Sequence, residues 1–167
     1  MILVIAGHSG AGKSTIAAAL ANRLAVEPIE VGQTVRSFHA RDASPLTLID
    51  YADQQFACLG PLCFIGPALD GRTNSAFTVI VGLRRIEEYE YVRNRDVDAR
   101  LLWLDALSKV REARKTEGKS SKYFNYRTTK EHAWGLDDLR NIADLILTST
   151  DTVASLTERI AAWLKQE

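Results

Sequence analysis

The sequence predicts an α/β protein: a five-stranded parallel sheet with helices on both faces, three layers in a single domain of 167 residues. Three observations support this. Short apolar runs rich in β-branched residues alternate with stretches of helical pattern, and such alternation builds a parallel sheet covered on both sides. The first apolar run passes into a glycine-rich octapeptide that opens a helix, the strand–loop–helix context of a phosphate-binding unit. The length gives one domain a substantial core and leaves too little chain for a second.

The elements follow in order. Residues 2–6, Ile-Leu-Val-Ile-Ala, form the first strand, far too short to cross a bilayer, so no membrane partner is expected. Gly7-His8-Ser9-Gly10-Ala11-Gly12-Lys13-Ser14 matches G-x-x-x-x-G-K-[ST] at each fixed position. Its glycines let backbone N–H groups turn inward around phosphate oxygens, and the helix N-terminus adds partial positive charge. Lys13 should reach the β- and γ-phosphates of ATP, and the Ser14 hydroxyl should ligate Mg²⁺. Thr15, the next residue, is grouped with the loop as a nucleotide-binding position. The backbone of His8 matters more here than its ring.

A helix is expected over 13–25 and a short strand over 28–31. Residues 36–75 hold two or three short helical segments around Pro45, Pro61 and Pro67. A strand at 77–81, a helix at 85–93, a strand at 101–104 and a helix at 107–115 come next. Residues 116–131 are polar and lack helical periodicity, with Gly118 and Ser120-Ser121 pointing to a mobile segment. A strand at 143–147 precedes a helix over 152–165, whose Val153, Leu156, Ile160, Trp163 and Leu164 form a stripe for packing on a sheet. Ligands of open parallel sheets gather at the carboxyl ends of the strands. Residues 36–75 and 116–131 both emerge there, so they are expected to be an acceptor-binding insertion and a lid.

Composition narrows the partners. The 21 basic and 21 acidic residues cancel, so no global field advertises nucleic acid or membrane. Cys58 and Cys63 lack zinc spacing and read as buried thiols in a reducing cytosol, which makes the protein cytoplasmic. His39 and His132 have no partners at metal-ligand spacing and read as ordinary polar residues. Trp103, Trp134 and Trp163 fall in strand or helix patterns and are expected in the core. From Lys109 to Lys130, eight Lys and Arg face two Glu, with Tyr123, Phe124 and Tyr126 between them. This is either a lid that folds on ATP or a groove for a DNA backbone with a base stacked on an aromatic ring.

Further segments carry a resemblance. They are Val31-Gly32-Gln33-Thr34-Val35-Arg36, Val81-Gly82-Leu83-Arg84-Arg85, Val110-Arg111-Glu112-Ala113-Arg114 and Glu131-His132-Ala133-Trp134-Gly135 with Ala143-Asp144-Leu145-Ile146. With the phosphate loop, their order resembles the small nucleotide kinases of adenylate-kinase type, especially the dephospho-CoA-kinase-like ones. The resemblance implies a phosphate-loop kinase with ATP and Mg²⁺. Arg36 and Arg84 would hold the acceptor phosphate, Arg111 would cover the transferring phosphates, and Arg114 would close over the nucleotide. Arginine suits these places because its planar fork grips phosphate oxygens in pairs. Whether Arg84 or Arg85 points inward is left open.

Two departures bear on the acceptor. The family's third strand commonly ends in Asp, where this chain has Val81, and the lid's Arg-Asp pair appears as Arg127-Thr128. A hydroxyl acceptor must lose a proton to a base, whereas a phosphate is already an anionic nucleophile. A nucleoside or deoxynucleoside monophosphate is therefore the leading acceptor. A hydroxyl on a modified DNA base or on a dephospho-CoA-like ribose is the alternative, and an NTP-binding switch or ATPase a reading from another class. Asp50, Asp53, Asp70 or Asp105 could replace the missing acid. Asp105, at the end of the fourth strand, is best placed by topology, though it also reads as a helix N-cap. Tyr51 and Phe56 are candidates for contacting the acceptor base, with core packing as the other reading.

Overall fold

The run Ile2–Ala6 (β1) lies at the centre of a parallel sheet, between Thr78–Val81 (β3) and Arg100–Asp105 (β4). Ile29–Glu30 (β2) and Leu145–Thr148 (β5) form the edges, giving five strands in the order β2-β3-β1-β4-β5. This computed structural model describes residues 1–70, 76–115 and 121–166. The central strands are apolar without alternation because both faces are covered. Val4 and Ala6 point to one side, and Leu3 and Ile5 to the other, all four fully buried.

The first face packs against Val31–Arg41 (α2), Leu48–Leu59 (α3), Ile65–Leu69 (α4), Ile86–Arg93 (α5) and Leu136–Asn141 (α8), with Phe56, Phe64, Trp103 and Trp134 in its core. The second is covered by Lys13–Leu24 (α1) and Val153–Trp163 (α9), through Ile16, Leu20, Leu156 and Ile160. The expected three-layer α/β fold, with its five parallel strands, is present. Thr152 caps α9 by accepting the Ser155 N–H at 3.2 Å, and Ala25 ends α1 in the left-handed region. Trp103 and Trp134 are core residues, and Trp163 packs at the margin of the second cluster.

Among the described residues, the segments between the second and third strands form three helices, the first of which starts at Val31, directly after β2; residues 71–75 of the expected insertion lie outside the described residues. Ser108–Lys115 (α6) matches the expected helix closely, but the polar stretch that follows does not stay irregular. Residues 116–120 lie outside the described residues, and the rest of the expected lid is helix, Ser121–Ala133 (α7). Its periodicity is faint because α7 buries only Phe124 and Glu131. Ion pairs hold it instead: Lys130 Nζ lies 2.5 Å from Asp53 of α3, and Arg127 pairs with Glu131 one turn on. The expected buried thiols also need correction, since Cys58 is exposed and only Cys63 is partly buried. Burial pushes the Cys63 thiol up to about 11. Among the described residues, no helix is long and apolar enough to cross a membrane.

Candidate active site

The topology switches at β1, whose carboxyl end carries the glycine-rich loop. Gly7 has φ +140°, and a Cβ there would sit 2.4 Å from the Leu104 carbonyl oxygen of the neighbouring strand. Gly10 has φ +85° and lies against the Arg111 backbone, so a Cβ would come within 2.8 Å of that carbonyl. These are positions for glycine alone. No side chain caps the first turn of α1, and no acidic residue occupies it, which leaves its N–H groups for an anion. Lys13 is buried and donates from Nζ to the His8 carbonyl at 2.9 Å, which holds the ammonium over the loop. Ser14 and Thr15 are both exposed, and of the two Ser14 lines the cavity over the loop.

Ser9, Gly10, Gly12, Lys13 and Ser14 line one side of a cavity of about 220 Å³, with Glu30, Arg36, Val81, Arg84 and Arg127 among the residues opposite. Among the described residues, Glu30 is the one acid in that lining. Its Cα partner across the ladder is Val81, the position where the resembled family places Asp. Ser14 and Glu30 together offer the hydroxyl and carboxylate oxygens that suit Mg²⁺. Sequence reasoning missed Glu30. The signal was its place as the last residue of a two-residue strand, one strand removed from the position searched.

A second, mainly apolar cavity of about 90 Å³ adjoins the first. Phe56, Phe64 and Trp134 supply aromatic walls, and Val35, Leu48 and Ile49 aliphatic ones. Arg36, Arg84 and Arg127 line both cavities and form the neck between them. Arg84, rather than Arg85, faces the site: Arg85 stacks over the Phe56 ring, 4.9 Å from its centroid. Glu88 lies fully buried at the apolar cavity, accepting the N–H groups of Arg84 at 2.5 Å and Arg85 at 3.0 Å. Burial pushes its carboxyl up to about 7, against those two hydrogen bonds.

Glu131 of α7 organises the approach to the loop. Its Oε2 accepts the Ser9 N–H at 3.0 Å and faces His8 Nδ1 at 3.2 Å, while its Oε1 lies 3.3 Å from both Arg84 and Arg127. Burial opposes its charge, but Arg84 and then His8, Arg127 and the Ser9 N–H outweigh it and hold the carboxyl well below the usual range. The His8 ring is thus engaged on both nitrogens, its Nε2 lying 2.8 Å from Asp137. His132 also meets Asp137, so the expectation that His132 has no partner at metal-ligand spacing is corrected.

The remaining candidates divide. Arg114 donates to the Gly10 carbonyl at 3.1 Å and to Ser149, which sets it beside the loop. Arg111 is buried over the Phe124 ring, with Nε and Nη1 making no hydrogen bond. Asp105 does not enter the loop cavity: its carboxylate accepts the Ala106 N–H at 3.0 Å and lies 3.4 Å from Arg140. Asp50 is taken up by Thr47 and Tyr126, and Asp53 by Lys130 and Trp134. Asp70 lines a separate cleft beside β2. Tyr51 is core, with its hydroxyl donating to Asp42 at 2.6 Å, and lines neither cavity, whereas Phe56 does. In the basic stretch, Phe124 is buried, while Tyr126 is exposed with its hydroxyl donating to Asp50.

No protein-family model matches the chain, and no curated protein matches its sequence. Solved structures do match along nearly all of it. A sugar kinase from Janibacter sp. HTCC2649 is 20% identical with a TM-score of 0.62, covering 98% of this chain and 93% of its own. Deoxyadenosine kinase from M. mycoides with bound dATP is 17% identical with a TM-score of 0.60, covering 99% and 100%. A shikimate kinase from Acinetobacter baumannii in complex with shikimate is 16% identical with a TM-score of 0.62, covering 99% and 95%. At these identities the likeness establishes architecture. With the phosphate loop at the centre of its sheet, the chain has the three-layer fold of the phosphate-loop kinases.

Proposed function

We propose that this protein is an ATP-dependent kinase that transfers the γ-phosphate to a nucleotide-type acceptor, foremost a nucleoside or deoxynucleoside monophosphate. The observation that carries the reading is the neck of three arginines, Arg36, Arg84 and Arg127, between the phosphate-loop cavity and an aromatic-walled pocket. A flat base suits walls of Phe56, Phe64 and Trp134, whereas a polyol would leave its hydroxyls unpaired there. The acceptor phosphate would then lie at the neck, in line with the loop.

Transfer of this kind asks the protein for positioning and positive charge rather than covalent help. The loop N–H groups and Lys13 hold the donor phosphates. An acceptor phosphate oxygen attacks the γ-phosphorus as the bond to the β,γ-bridging oxygen breaks, releasing ADP. The neck arginines hold the acceptor in line and offset the charge spread over the moving oxygens. Mg²⁺, held by Ser14 with Glu30 in the same cavity, would neutralise the β- and γ-phosphates. Arg114 beside the loop suits closure over the nucleotide, and Arg111 sits behind Gly10 as a second cation near the phosphates.

Glu30 favours a second reading, a hydroxyl acceptor on a dephospho-CoA-like ribose or a modified DNA base. A carboxylate in the loop cavity suits a base that takes the hydroxyl proton. Incubation with labelled ATP and a panel of mononucleotides, dephospho-CoA and DNA bearing hydroxymethylated bases tests both. Label on a mononucleotide supports the first reading, and label confined to DNA or dephospho-CoA replaces it with the second. Label released only as inorganic phosphate, whatever acceptor is present, refutes both and leaves an ATPase.

A further inference from the structure

The His8 ring lies between two carboxylates, and that arrangement has a proton problem. With its proton on Nδ1, His8 donates to Glu131, 3.2 Å away. Its Nε2 then turns a lone pair toward Asp137 Oδ1 at 2.8 Å. The other oxygen of Asp137 faces His132 Nδ1, and the two imidazoles sit with centroids 4.8 Å apart. Lone pairs at such separations repel unless a positive species lies among them. An extra proton is one solution, and a metal ion is the other.

We propose that His8, His132 and Asp137 bind a divalent transition-metal ion, Zn²⁺ fitting best, which fastens the phosphate loop to the turn between α7 and α8. The candidate ligand atoms all lie within 4.8 Å of one another. Tetrahedral zinc with bonds of about 2 Å needs ligands about 3.3 Å apart, so the wider separations must close while His8 Nε2 and Asp137 Oδ1, now 2.8 Å apart, part slightly, an adjustment that modest side-chain rotation supplies. Two imidazoles and one carboxylate are a donor set for zinc, with a fourth position left for water. Glu131 completes the design as the outer carboxylate that accepts a hydrogen bond from the Nδ1–H of His8 and aims its Nε2 at the ion. Glu131 is itself buried and fixed by the Ser9 N–H and by Arg84 and Arg127, so the aim is rigid. Gly135, at φ +80°, makes the tight turn that returns Asp137 toward His132.

The site is distinct from the Mg²⁺ position at Ser14 and stands apart from the kinase reading. Its consequence is mechanical: an ion there ties a variable position of the phosphate loop to helices more than 120 residues away in sequence. The test uses the untagged full-length chain, stripped with a chelator and titrated with Zn²⁺ against a chromophoric competitor at neutral pH. One ion per chain is expected. His132→Ala and Asp137→Asn should each weaken binding by about tenfold or more, since losing even an outer partner of a ligand costs that much. Both side chains are about half exposed, so the variants should fold. Co²⁺ in place of Zn²⁺ should give a d–d spectrum without a thiolate charge-transfer band. Absence of binding, equal binding by both variants, or a thiolate band from Cys58 or Cys63 would each overturn the proposal. The first of these outcomes would assign the gap to a proton.

Discussion

Glu30 ends β2 directly across the ladder from Val81, and its carboxylate is the one acid lining the phosphate-loop cavity among the described residues. The pairing explains how a chain with an aliphatic residue at the end of β3 still brings a carboxylate to its loop. It also makes Glu30 the residue that discriminates between acceptors. With a monophosphate acceptor, Glu30→Gln should keep transfer within about tenfold, because no proton need be removed. A loss of about 10²-fold or more in initial rate that saturating Mg²⁺ does not restore would identify a base and hence a hydroxyl acceptor.

Lys13→Ala should abolish transfer while the circular dichroism spectrum stays that of the parent. The ammonium is held over the loop by the His8 carbonyl and has no counterpart for the β- and γ-phosphates in that cavity other than the neck arginines. Full activity in this variant would refute the donor site.

Arg36→Ala should raise the acceptor KM with little change in the KM for ATP. The Arg36 side chain is 56% exposed and only 3.8 Å from Glu30 at its closest, so the thermal midpoint should move little, within about 0.5 kcal/mol of stability. Acceptor kinetics indistinguishable from the parent would remove Arg36 from the neck.

Gly7→Ala should lose stability as well as activity, by about 2–3 kcal/mol in urea titrations. The added Cβ meets a backbone oxygen at 2.4 Å, and neither β1 nor β4 can move aside in the middle of the sheet. A midpoint unchanged from the parent would contradict the placement of β1 against β4.

Glu88 should leave a signature in the pH dependence of stability. Its carboxyl rises from an ordinary 4.5 to about 7 on folding, through burial. Between those values the folded chain binds more protons than the unfolded one, so this group favours folding below about 4.5 and loses that contribution as pH rises to about 7. Glu131 has the opposite sign: its depressed carboxyl stabilises the fold above its ordinary value and is lost only in acid. Urea midpoints should therefore show a falling component from pH 4.5 to 7 that is missing in Glu88→Gln. An identical profile in the variant would mean that Glu88 is ionised throughout.

Local pattern was enough for much of this protein. The apolar runs of β1, β3 and β4 carry their burial in their composition, and the octapeptide of the loop carries its chemistry in eight adjacent residues. Such features are legible because the residues that act together are neighbours in the chain. Helix α7 was not legible, since it is held by Asp53, Arg84 and the loop rather than by an apolar stripe of its own. Tyr51 and Phe56 looked alike as candidates, and only packing separated them: one hydroxyl bonds Asp42 in the core, and one ring walls the pocket.

The sequence by itself determined the sheet, the phosphate loop and the supply of arginines. Tertiary structure decided which arginines meet at one neck, which acid enters the loop cavity, and that His8 meets Glu131, His132 and Asp137. Those are contacts across strands and between residues as much as 129 positions apart, and burial, charge pairing and register settle them only after the chain has closed on itself.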